Sequence, residues 1–100
     1  MEFNYNVFFE FYKLGEFLAK GTLSCQEVSE FRLSNLDALD VMCVLRSVKG
    51  YHFTRVKSIR VISDNEIKAE LRSGESLLIE VDIQRVPFKK LKYRYMEDAR

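Results

Sequence analysis

An α+β fold is what this sequence predicts: two or three N-terminal helices packed on a C-terminal antiparallel β-meander of three to four strands. Three observations lead there. A capping signal stands at Ser24 and Glu27. An apolar stripe of helical spacing runs from Ala38 to Val48, and after Gly50 the apolar period changes to two. A chain of 100 residues with 47% apolar residues has material for one core, so residues 1–100 read as a single domain.

The first element admits two readings. With period two, Phe3, Tyr5, Val7, Phe9 and Phe11 alternate with Asn4, Asn6, Phe8, Glu10 and Tyr12, as in a strand. With period 3.6, Phe8, Phe11, Tyr12, Gly15, Leu18 and Ala19 form one stripe, and Gly21 follows as a helix stop. The helical reading, over about 7–20 with an extended lead-in, is the expectation.

Ser24 and Glu27 then fit an S-x-x-E capping box, with Leu23 and Val28 as its hydrophobic staple, and predict a short helix over 25–32. Ser34 is placed to cap a longer helix over 35–48, with Asp37 in its first turn. Its buried stripe is Ala38, Val41, Met42, Leu45 and Val48, joined by Leu39, and Gly50 ends it.

Beyond Gly50 the strands follow. Val56 and Ile59 have opposite parity, so the first strand contains a bulge or begins after Lys57. Ser63-Asp64-Asn65 supplies turn chemistry. Ile67, Ala69 and Leu71 alternate with Glu66, Lys68, Glu70 and Arg72, and Leu77, Ile79, Val81 and Ile83 alternate with Leu78, Glu80 and Asp82. A hairpin centred on Gly74 sets Leu71 against Leu77, Ala69 against Ile79 and Lys68 against Glu80. Pro87 interrupts the third strand, and 89–95 read as an edge strand.

Composition excludes more functions than it supports. The net charge of +1 gives no strong whole-molecule field for nucleic acid or membrane. Residues 1–50 carry five Lys/Arg against seven Asp/Glu, and residues 51–100 eleven against eight. Cys25 and Cys43 lack the CxxC spacing of zinc or redox motifs and read as buried free thiols. No basic leader and no run of about 18 apolar residues is present, so the cytoplasm is the expected compartment.

Catalysis has little to work with. His52 is the one histidine, and it stands alone between Tyr51 and Phe53. Asp37/Asp40 and Glu66/Glu70/Glu80/Asp82 read as solvated charge, since catalytic carboxylates need burial or crowding to shift their pKa. The four glycines are isolated and build no phosphate loop. The expectation is therefore no enzyme, no cofactor and no metal.

The order helix, short capped helix, longer helix and hairpin resembles a winged helix-turn-helix domain. The resemblance is carried by LAKGTLSCQEVSEFRLSNLDALDVMCVLRSVKGYHF, residues 18–53, with GTLSCQEVSEF in the place of the second helix. It implies that the helix over 35–48 would enter the major groove. The chain departs from that family's pattern on the groove side, which carries Asn35, Asp37, Asp40 and Ser47 with only Arg46 basic. Acidic residues there would repel the phosphates whose neutralisation supplies most of the affinity.

Two segments remain as binding candidates. In QRVPFKKLKYRY, residues 84–95, Arg85, Lys89, Lys90, Lys92 and Arg94 are interleaved with Phe88, Tyr93 and Tyr95 and include no acid. Such a run suits single-stranded nucleic acid or RNA, but an edge strand protected by lysines explains the same residues without a ligand and is the preferred reading. Seven of the thirteen aromatics fall within residues 3–17. That is more aromatic surface than a small core absorbs, and exposed aromatic patches mark interfaces. The expected function is therefore a non-catalytic binding or regulatory protein. It acts through a protein–protein interface at Phe3, Tyr5, Phe8, Phe9 and Tyr12, most simply as a homodimer. The alternative is a nucleic-acid-binding protein of winged-helix type using the basic segment.

Overall fold

The computed structural model describes residues 3–86. Its first half is a β-hairpin, which corrects the expected fold class. β1 (Phe3–Lys13) and β2 (Glu16–Glu27) lead to a 3-10 turn at Leu33–Asn35 and a helix, α1 (Ala38–Leu45). β3 (Val56–Ser63), β4 (Glu66–Leu71) and β5 (Ser76–Val86) follow. All five strands join one antiparallel sheet in the order β2-β1-β5-β4-β3. One helix lies on this sheet, where two or three helices on a three- to four-stranded meander were expected.

The period-two reading of residues 3–12 prevails because it has strands to pair with on both sides. β1 bonds to β2 on one edge and to β5 on the other. Leu14 (φ 51°) and Gly15 (φ 80°) close the β1–β2 hairpin, both in the left-handed region that a tight two-residue hairpin turn requires. Ser24 caps no helix. It lies on β2, and its hydroxyl donates to Asn6 Oδ1 across the hairpin at 3.0 Å.

The capping box exists further along, between Asp37 and Asp40. Asp40 N–H donates to Asp37 Oδ1 (2.9 Å) and Asp37 N–H to Asp40 Oδ2 (3.0 Å). The helix therefore starts after Asp37 rather than Ser34 and is shorter than the expected 35–48. Residues 18–53 thus hold the outer hairpin strand, a 3-10 turn and one eight-residue helix. They offer no evidence of a winged helix-turn-helix.

The core lies between α1 and one sheet face. Tyr5, Val7, Phe9 and Phe11 of β1, Ile67, Ala69 and Leu71 of β4, and Leu77, Ile79 and Val81 of β5 are buried there. Val41, Val44, Leu45 and Val48, with Phe31 and Leu36, cover them. Each of the valine, leucine, isoleucine and phenylalanine side chains contributes on the order of 1.5–3 kcal/mol by leaving water. The helix reaches the outer strand β2 at Gly21, where an added Cβ would come 2.4 Å from Val44 Cγ1. Glycine is needed at that point for close approach, not for backbone freedom.

The β4–β5 pairing differs from the expected register. Ala69 faces Leu77, Ile67 faces Ile79 and Lys68 faces Leu78. Gly74 (φ 96°) takes the left-handed position at the end of the loop, so the hairpin is not centred on it. Every side chain keeps its expected face. β3 carries a register irregularity between Val56 and Ser58, in accord with the parity change there.

Cys25 is half-buried and Cys43 exposed, so the expectation of two buried thiols is also corrected. Position 43 lies on the outer side of α1, opposite Val41, Val44 and Leu45. No described helix is long and apolar enough to cross a membrane.

Candidate functional site: the open face of the sheet

Among the described residues one helix covers one side of the sheet and leaves the other side open to water. Strand alternation decides which residues stand there, and it divides the aromatic segment in two. Tyr5 and Phe9 point into the core and are 5% and 0% exposed. They are foundations of the fold and are not available as interface residues. Phe3 is half-buried on the same side, with the Arg85 guanidinium 4.1 Å from its ring centroid. Phe8 and Tyr12 stand on the open face, Phe8 being 38% exposed.

Two further apolar side chains join them. Phe17 meets Tyr12 edge-on, with ring centroids 5.8 Å apart, and Leu78 is the cross-strand partner of Tyr12. Phe17 is 55% and Leu78 37% exposed. The signal for Leu78 is present in the sequence as an apolar residue on the outer face of the strand that continues with Glu80 and Asp82.

The register arranges this face in rows that cross the strands. Lys20, Glu10, Glu80 and Glu66 form one row over β2, β1, β5 and β4. The next row, toward the Leu14-Gly15 turn, is Phe17, Tyr12, Leu78, Lys68 and Arg60. On the other side lie Thr22, Phe8 and Asp82. A shallow hollow of about 670 Å³ spans Phe8, Glu10, Lys20, Thr22, Glu80 and Asp82.

Three carboxylates on adjacent strands repel one another, since like charges directly opposite each other in a sheet are destabilising. The Tyr12 hydroxyl feels this environment. Its pKa is raised first by partial burial, then by the nearby charges of Glu10 and Glu80. The face thus sets an acidic band beside a band of aromatic, aliphatic and cationic side chains.

Among the described residues, the remaining sequence candidates do not converge on this face. His52 is exposed, with Nδ1 2.9 Å from the Arg46 carbonyl oxygen, and no carboxylate is hydrogen-bonded to it among the described residues. Asp37 and Asp40 are occupied with each other at the start of α1. Burial is the main cause that raises the Asp40 pKa, partly offset by the backbone hydrogen bond from Asp37. Among the described residues no three His, Cys, Asp or Glu side chains gather in a way that could hold a metal ion. Of the basic segment, Arg85 lies near the end of β5. Lys89, Lys90, Lys92 and Arg94 lie outside the described residues, as does the expected edge strand 89–95.

Comparison with protein-family models, with curated proteins and with solved structures finds no match.

Proposed function

We propose that this chain is a non-catalytic binding protein that self-associates through the open face of its sheet. The observation that carries this reading is the juxtaposition of the acidic row Glu10–Glu80–Glu66 with the row Tyr12–Leu78–Lys68–Arg60. Residues two apart on a strand are about 7 Å apart, so the two rows are neighbours. A two-fold axis running between them, parallel to both, lays each row over the other row of a second copy. Glu66 then faces Lys68 of the partner subunit, Glu10 faces Tyr12 of the partner subunit, and Phe8 closes the contact on the flank. Face-to-face sheets pack about 10 Å apart, which these side chains are long enough to fill. Glu66 gains a cation in the same contact that covers the apolar residues. A closed two-fold pair is also the commonest assembly of small soluble chains.

Two substitutions at adjacent positions separate interface from core. Phe8→Glu adds a charge on the open face and is expected to yield a folded monomer, with native circular dichroism and a halved mass by light scattering. Phe9→Glu buries a carboxylate at a fully enclosed position and is expected to unfold the chain. A Phe8→Glu protein whose mass equals that of the wild type would count against the open face as the interface.

A further inference from the structure

A second feature lies at the end of the sheet near the β4–β5 turn. The loop 50–55 and that turn enclose an open hollow of about 720 Å³. This is within the size range of small-ligand sites. Its walls carry two arginines, Arg55 and Arg72, brought side by side because the Arg72 N–H donates to the Arg55 carbonyl at 2.9 Å. Neither forms an ion pair among the described residues, where the two pairs are Lys13–Glu75 and Arg32–Glu30.

The one acid in the hollow, Glu75, is already engaged. Lys13 Nζ lies 2.7 Å from its carboxylate, and the Tyr51 hydroxyl donates to it at 3.2 Å. The Ser73 hydroxyl is also engaged with Glu75, and the hollow is left with unneutralised positive charge. Phe53 stands on the same wall and is 97% exposed, so its ring packs on nothing. A bare phenyl ring costs free energy in water, and this one lines the same hollow as the two arginines.

Arginines bind phosphate oxygens in paired hydrogen bonds, and an exposed aromatic face stacks on planar bases. We propose that this hollow binds a small phosphate-bearing aromatic ligand of the nucleotide class. Arg55 and Arg72 hold the phosphates and Phe53 stacks on the ring. This proposal is independent of the open face, which lies on other residues.

Calorimetric titration of the wild-type chain with ADP, pyrophosphate and adenosine tests it. ADP is expected to bind most tightly, with pyrophosphate and adenosine each weaker. Arg72→Gln is expected to weaken ADP and pyrophosphate alike by about tenfold or more, as for loss of a charged hydrogen bond. Phe53→Ala is expected to weaken ADP several-fold, in the range of a lost base–aromatic stack, and to leave pyrophosphate unchanged. Both side chains are exposed, so neither change threatens the fold. Absence of ADP binding at millimolar concentration and low salt would overturn the proposal. So would pyrophosphate binding as tightly as ADP, or ADP binding that is indifferent to Arg72→Gln.

Discussion

Replacing Gly21 by alanine tests how the helix is seated on the sheet. The new Cβ would lie 2.4 Å from Val44 Cγ1, well inside contact distance. Valine in a helix is held largely to one rotamer, so Val44 cannot swing its methyl aside. The helix or β2 must shift instead, and overpacking of this kind costs about 1–3 kcal/mol. Alanine gains some of this back, since glycine in a strand is unfavourable by roughly 0.5–1 kcal/mol. The expected net loss is about 1–2 kcal/mol, read as a lower urea midpoint with unchanged slope. Val44→Ala alone leaves a cavity and is expected to cost about 2 kcal/mol. In the double variant the alanine Cβ occupies space that the valine methyl vacated, so the combined loss is smaller than the sum of the two. Coupling between touching residues is commonly 0.5–3 kcal/mol, enough to measure. Additive losses, or a Gly21→Ala protein as stable as the wild type, would refute the close contact between α1 and β2.

Other consequences concern turns, caps and charge. Leu14 is 93% exposed at φ 51°, so Leu14→Asn loses no packing and suits the turn better; it is expected to stabilise by about 1 kcal/mol in denaturant titration. Asp37→Ala removes the acceptor for Asp40 N–H and is expected to cost about 1 kcal/mol, with a matching loss of helical circular dichroism. The Glu75 carboxyl is held below its usual pKa first by Lys13, then by the Tyr51 hydroxyl. The unfolded chain therefore takes up that proton more readily. The stability this gives is complete above the usual glutamate value of about 4.3 and is lost as pH falls through the lowered one. Glu75→Gln is expected to flatten that part of the acid-unfolding curve.

Much of the sheet could be read from the sequence, because strand alternation is a local signal. The faces of β4 and β5 follow from Ile67, Ala69 and Leu71 and from Leu77, Ile79 and Val81. The first hairpin was hidden by its own turn. Leucine at position 14 is a poor residue for positive φ, and an Asn-Gly pair there would have marked a hairpin at once. Without that mark, Phe8, Phe11, Tyr12, Leu18 and Ala19 could be fitted to a helical stripe. Ser24 and Glu27 satisfied a four-residue pattern that also occurs by chance on a strand. What decided between the readings was partnership with β5, which comes about seventy residues later and leaves no trace in the local pattern. For the same reason Phe8 could be recognised as unusual, whereas the row Glu10–Glu80–Glu66 could not. Its members meet only once β1, β5 and β4 are known to be neighbours in that order.

Sedimentation equilibrium over a wide concentration range, with wild type and Phe8→Glu side by side, tests the central claim most directly. The account predicts a wild-type mass rising toward twice the 11.8 kDa of one chain, and a Phe8→Glu mass that stays at one chain throughout. A wild-type protein that remains a single chain at every concentration, or a variant that dimerises equally well, would contradict it.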